Sequence, residues 1–310
     1  MKILITGSTG LIGKNLVNYL SQTNHDLLTP SHNELNLLHR DAIYNYLKFE
    51  KPDCIIHLAA KVGGIAAHTK YPLQFLLENL DISRNVIITS YECGIKKFIN
   101  MTSACIYPAE ISDQPLTEDM AITGSFEKNY EGYSVAKAAS ALMCKYISEN
   151  NTDFFYNTLI PCSIYGPHCS FNDENSTVIA SAIKKIYTAK INRLNEVTIW
   201  GDGTARREFI YAGDLAKIIK FVTENLETIP PFLNVGTGTD YSVNECYEMI
   251  AKVLNYKCTF VHDLTKPVGK NRRLLSVNLM KSFGLKTETS LFEGIKETVN
   301  FYKTQILKVS

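Results

Sequence analysis

A short apolar run, Lys2–Thr6, ends in Gly7-Ser8-Thr9-Gly10-Leu11-Ile12-Gly13 and passes directly into a helical pattern that continues to Leu20. A strand that turns on glycines into a helix commits the chain to a parallel α/β architecture, because the turn brings the helix back over the sheet. The spacing is GxxGxxG, one residue longer than the GxGxxG dinucleotide fingerprint. Glycine lets backbone N–H groups approach a pyrophosphate, and the helix N-terminus adds partial positive charge. Gly7, Ser8, Thr9, Gly10, Leu11, Ile12 and Gly13 are therefore the expected phosphate seat of a dinucleotide.

The second strand is expected at Leu27–Thr29, where an NAD site places an acid on the adenosine ribose. Here no carboxylate follows until Glu34. That leaves room for a 2′-phosphate and favours NADP, with Ser31 and His32 as contacts, although neither is an arginine. Cys54–Ala60 is a continuous apolar run, as a strand buried on both faces should be. Its last residues, Ala59 and Ala60, lead into the loop Lys61-Val62-Gly63-Gly64 beside the cofactor. A long helix is predicted from about Pro72 to Glu92, and a fourth strand at Lys97–Met101. Ligands of open α/β sheets sit off the carboxyl ends of the strands, so Ser103, just past the fourth, falls in the crevice.

Tyr133-Ser134-Val135-Ala136-Lys137 places a phenol and an ammonium on one helical face, in a helix expected to reach about Glu149. The Lys137 charge should lower the Tyr133 pKa toward working pH, a way to provide a proton donor for a carbonyl under reduction. A strand at Phe154–Leu159 follows, ending in Pro161-Cys162-Ser163-Ile164-Tyr165-Gly166-Pro167. This alternation predicts a doubly wound, Rossmann-type parallel sheet over residues 1–165, carrying Ser103, Tyr133 and Lys137. Residues 166–310 should form a smaller α/β substrate-binding part, with some chain crossing back. Its expected elements are helices near Thr177–Ala189, Asp214–Asn225, Asn244–Leu254 and Leu291–Lys303, and a strand at Val197–Trp200.

At 310 residues the chain is long enough for one large domain or two, and its net charge of +1 provides no field for nucleic acid. Eight cysteines include no CxxC and no metal-ligand spacing, so reduced thiols, a cytoplasmic location and no bound metal are expected. No stretch has the length and apolarity of a membrane span, and Met1 leads straight into the first strand without a leader pattern.

The order of glycine turn, strand-end serine and YxxxK resembles the extended short-chain dehydrogenases/reductases. Within them, Lys61-Val62-Gly63-Gly64-Ile65, Ser103-Ala104-Cys105-Ile106-Tyr107-Pro108, Ile164-Tyr165-Gly166-Pro167-His168, Trp200-Gly201-Asp202-Gly203-Thr204 and Arg207-Glu208-Phe209 resemble the GDP-L-fucose synthase family. Asn234-Val235-Gly236-Thr237-Gly238 and Thr265-Lys266-Pro267 carry the likeness to about residue 285. The resemblance implies an enzyme that epimerises C3 and C5 of a GDP-4-keto-6-deoxy-sugar and reduces C4 with NADPH. It implies that Ser103 hydrogen-bonds the keto oxygen, that Tyr133 donates the proton, and that Lys137 tunes Tyr133 and holds the nicotinamide ribose. It extends the cofactor contacts to Asn36, Leu37, Ala59, Ala60 and Pro161. For the GDP-sugar it implies Ser163, Thr177, Val178, Lys185, Trp200, Arg207 and Arg273, with Arg272 an alternative to its neighbour.

Two departures matter. The family's base and acid for epimerisation are a cysteine and a histidine. Cys105 fills the first position, but Asn175-Ser176-Thr177-Val178-Ile179 carries Thr177 where the histidine belongs. A threonine hydroxyl does not titrate near neutrality. Ser163 also stands in place of an asparagine that faces the sugar. The expectation is C4 reduction of a GDP-4-keto-6-deoxy-hexose or -heptose with epimerase activity lost, and Cys105 either transfers a proton or packs as a small apolar residue. The bifunctional synthase is the alternative. A 4-epimerase or 4,6-dehydratase is disfavoured because Ser103-Ala104-Cys105 lacks the acid pair a dehydratase wants. A non-catalytic, cofactor-sensing protein would have lost Tyr133 or Lys137. The resemblance further implies a homodimer through a four-helix bundle of Pro72–Glu92 and Tyr133–Glu149, and a place in polysaccharide biosynthesis.

Overall fold

The computed structural model describes residues 1–172, 176–266 and 270–306. Asn175 and Pro267, each within a matched block, lie outside them. The first half runs β1 (Lys2–Thr6), α1 (Leu11–Leu20), β2 (Asp26–Leu28), α2 (Arg40–Glu50), β3 (Cys54–His57), α3 (Ile65–Lys70), α4 (Pro72–Glu92), β4 (Lys97–Met101), α5 (Glu131–Asn150) and β5 (Phe155–Pro161). The second runs β6 (Ser163–Tyr165), α6 (Val178–Asn192), β7 (Glu196–Trp200), β8 (Arg206–Tyr211), α7 (Ala212–Glu224), β9 (Phe232–Val235), β10 (Asp240–Ser242), α8 (Val243–Leu254), β11 (Thr259–Asp263), β12 (Arg272–Arg273), α9 (Asn278–Ser282) and α10 (Leu291–Phe301).

Six parallel strands form the main sheet in the order β2-β1-β3-β4-β5-β9. Helices cover both faces, so the central strands are largely apolar: Ile3, Ile5, Ile55, Ile56 and Ile99 are all buried. From β1 the chain steps to β2 on one side and then to β3 on the other. The carboxyl ends of β1 and β3 thus open a crevice at the reversal. Thr6 Oγ1 and His57 Nδ1 tie those two ends at 2.8 Å.

β3 ends at His57, earlier than the predicted Ala60, so Ala59 and Ala60 belong to the following loop. The glycine turn packs directly on that loop. A Cβ on Gly7 would lie 2.7 Å from Ala59 N, and its φ is +70°, so position 7 excludes every other side chain.

The second half builds its own core around α6, α8 and α10, where Ile183, Ile186, Ile250 and Ile295 are fully buried. β8 is central there, pairing with β6, β10 and β12, while β7 pairs with β11. Between these elements the chain returns to the first core: α7 packs on α1, and β9 completes the main sheet beside β5. α4 packs along α5, and the two helices leave Leu73, Leu77, Val135 and Tyr146 exposed.

Candidate active site

One cavity of about 1130 Å³ runs from the glycine turn, across the carboxyl ends of the main sheet, to the second core. At one end it is lined by Gly7, Thr9, Gly10, Leu11, Ile12 and Gly13, followed by His32, Asn36, Leu37, Ala59, Ala60 and Pro161. Gly10 caps α1 with extended backbone and no side-chain bond, leaving the first-turn N–H groups of a ten-residue helix open to an anion. A Cβ on Gly13 would lie 2.2 Å from Gly7 O, so the turn is as tight as a pyrophosphate seat requires. These residues fit a dinucleotide. Ser8 and Ser31, also expected here, do not line the cavity: Ser8 Oγ bonds Thr29 O, and the Ser31 amide donates to Glu34 Oε2 at 2.7 Å.

In the middle, Ser103, Cys105, Tyr133 and Lys137 converge. β4 delivers Ser103, whose extended backbone starts a 3-10 turn at Ala104–Ile106 and whose Oγ accepts the Cys105 N–H. α5 delivers Tyr133 and Lys137 one turn apart. Lys137 Nζ donates to Met101 O at 2.9 Å, the last carbonyl of β4, which locks the catalytic helix to the strand that ends in Ser103. Burial pushes Lys137 down to about 8.

Here the structure corrects the sequence reading of Tyr133. Its phenol is held above the ordinary value, first by burial and then by the negative charge a Cys105 thiolate would carry. Lys137 does not offset this, because its ammonium is drawn to Met101 O and lies 5.9 Å from the Tyr133 ring centre. Tyr133 is therefore a firmly protonated group, suited to give a proton to an oxygen that becomes negative. Burial also raises the Cys105 thiol, against lowering by Ser134, Arg273, Ser103 and Lys137 around it.

The far end holds Ser163, Thr177, Val178, Lys185, Trp200, Arg207 and Arg273. Thr177 caps α6 without a side-chain bond and lines the cavity. The alternation of β12 settles the two adjacent arginines. Arg272 joins Arg206 on the Asp240 carboxylate, whereas Arg273 turns into the cavity. Lys185 Nζ donates to Thr198 O at 3.0 Å and lies 5.2 Å from the centre of the Trp200 ring.

Three lining residues escaped the sequence reading. Glu127 pairs with Arg273 at 2.9 Å, and the two side chains are only 16% and 17% exposed. Tyr130 stands beside them, its phenol pushed up to about 12 by burial and by Glu127. His68 is buried against Phe75, Tyr130 and Tyr133, with ring centres 3.8, 4.7 and 5.2 Å away. Burial pushes His68 down to about 4, so it is neutral at working pH. None of the three sits in a strand-end or helix-spacing pattern, so local sequence gave no signal for them.

A dinucleotide seat opening on a strand-end serine and a YxxxK pair defines a nicotinamide-dependent oxidoreductase of the short-chain type. The chain matches the NAD dependent epimerase/dehydratase family over residues 3–236. It is 44% identical to a GDP-L-colitose synthase of Yersinia pseudotuberculosis, over 97% of this chain and 98% of that protein. A GDP-L-fucose synthase of Azorhizobium caulinodans is 38% identical, over 98% and 96%. Among solved structures, a GDP-mannoheptose C4 reductase of Campylobacter jejuni with NADP bound superposes with a TM-score of 0.86 at 29% identity, covering 98% of each chain. The chain belongs to the GDP-L-fucose synthase branch of the NAD dependent epimerase/dehydratase family, and it is an NADP-dependent oxidoreductase.

Proposed function

We propose that this enzyme reduces C4 of a GDP-4-keto-6-deoxy-sugar with NADPH and no longer epimerises C3 and C5. The observation that carries this reading is the pairing of a complete Ser103–Tyr133–Lys137 cluster with a hydroxyl, Thr177, at the cap of α6.

When bound, the cofactor supplies the hydride. Ser103 orients the keto oxygen by a hydrogen bond, and Tyr133 transfers its proton to that oxygen as negative charge develops. Lys137, anchored on Met101 O, holds the ribose and fixes the helix. Arg207 and Arg273 hold the diphosphate, with Lys185 and Trp200 toward the base. Positioning by these remote contacts brings the carbonyl to the cluster. The relatives' names support a GDP-linked deoxyhexose or heptose. We further propose that two chains pair α4 and α5 into a four-helix bundle, covering Leu73, Leu77, Val135 and Tyr146.

The bifunctional synthase is the second reading. It is favoured by Cys105 beside Ser103 and by the His68 imidazole, which lines the same cavity. Turnover of GDP-4-keto-6-deoxy-mannose with NADPH in D₂O separates the two. Product without deuterium at C3 and C5 supports the reductase, and label at either carbon sinks it. Absence of turnover transfers the assignment to another or a pre-epimerised sugar.

A further inference from the structure

The adenosine-ribose edge of the cavity is built without a permanent cation. Past β2 the lining consists of His32, Asn36, Leu37 and Leu38. Asn36 Oδ1 is engaged by the Leu38 amide at 3.0 Å. Arg40 is the first arginine of the chain, and it is bound by the Glu92 carboxylate on α4. The Ser31 amide, on the loop after β2, is taken by the Glu34 carboxylate at 2.7 Å. That bond holds the Glu34 carboxyl below its ordinary pKa and keeps a carboxylate on the loop that carries His32.

We propose that the enzyme reduces its substrate with NADH as well as NADPH, because this edge discriminates weakly between a 2′-hydroxyl and a 2′-phosphate. The inference rests on the reading of the glycine turn as the pyrophosphate seat. A 2′-phosphate carries two negative charges and is normally matched by an arginine fork, whereas an NAD site offers a carboxylate to the 2′-hydroxyl. This edge offers neither. Glu34 is turned back on its own loop, and His32 is the one titratable side chain lining the edge among the described residues. The chemistry is unchanged by the choice: the carbonyl carbon takes a hydride, its oxygen takes the Tyr133 proton, the ketone is reduced and the dinucleotide oxidised.

The test is calorimetric titration of the full chain with 2′,5′-ADP and with 5′-ADP, GDP being present to fill the substrate end. The expected dissociation constants differ by no more than about tenfold. Glu34→Gln should tighten 2′,5′-ADP several-fold and leave 5′-ADP unchanged, and His32→Arg should tighten it by about tenfold or more. Binding of 2′,5′-ADP a hundredfold or more tighter than 5′-ADP in the unaltered chain would overturn the proposal alone. Failure of both ligands, together with no quenching of NADPH fluorescence on mixing, would overturn the pyrophosphate seat as well.

Discussion

Glu127 Oε2 meets Arg273 Nη2 at 2.9 Å, inside the cavity end that also holds Arg207. The carboxylate faces two neighbouring guanidinium groups, of which Arg207 is pushed down by burial and by Arg273. On the proposed reading, Arg273→Ala removes a phosphate contact, and it takes from Glu127 its ion-pair partner at 2.9 Å. Steady-state kinetics should show the KM for the GDP-sugar rising by about tenfold or more, because a charge-assisted contact is worth roughly 1.5–3 kcal/mol. NADPH affinity should stay within about twofold.

Tyr133→Phe keeps the ring between His68 and Lys137 and deletes only the proton. The expected fall in kcat is about 10²- to 10⁴-fold, the usual contribution of a positioned general acid. Fluorescence titration should find NADPH binding nearly intact. Activity above a tenth of the unaltered enzyme would remove Tyr133 from the role of acid.

Lys137 gives a pH signature in stability. Its folded value is about 8 against an ordinary 10.5. Below pH 8 both folded and unfolded chains hold the proton, and the cost of burying the charge is fully present. Between pH 8 and 10.5 the folded chain releases the proton first, so that cost fades as pH rises. Lys137→Met should therefore stabilise the cofactor-free protein at pH 7, by something on the order of 3 kcal/mol. Denaturant unfolding should show the gain shrinking as pH increases through that window. A gain that grows with pH would contradict the assignment.

Thr177→His returns an imidazole to the cap of α6. Mass spectrometry of product formed in D₂O should then show deuterium that the unaltered enzyme does not introduce. In contrast, His68→Phe preserves the ring stack on Phe75 and Tyr133 and should leave kcat within a few-fold. A larger loss, with solvent label in the unaltered product, would favour the bifunctional reading.

Leu77→Glu with Tyr146→Glu places charges on the exposed faces of α4 and α5. Sedimentation velocity should convert a dimer of the unaltered chain to a monomer, with circular dichroism unchanged.

Much of this was legible in the chain because it rests on local pattern. Strand, glycine turn and helix mark β1 and α1, and a continuous apolar run marks β3. The helical spacing of Tyr133 and Lys137 holds in α5. What escaped depends on partners distant in sequence. The Tyr133 proton affinity is set by burial and by where Lys137 Nζ finds a carbonyl, not by their spacing. Glu127 becomes part of the site only because β12 brings Arg273 to it across 146 residues. Short strands such as β10 and β12 exist because β8 offers them an edge, and no run of two or three residues announces that in advance.

The late placement of β9 has a consequence for how such an enzyme can change. The strand that finishes the cofactor sheet is made after most of the sugar-facing elements, and its Asn234 holds Tyr107 Oη at 2.7 Å, close behind Ser103 and Cys105. A sugar-recognising half that must lend a strand to its neighbour cannot be exchanged between relatives as a cassette. New specificity has to arise one side chain at a time on a shared frame.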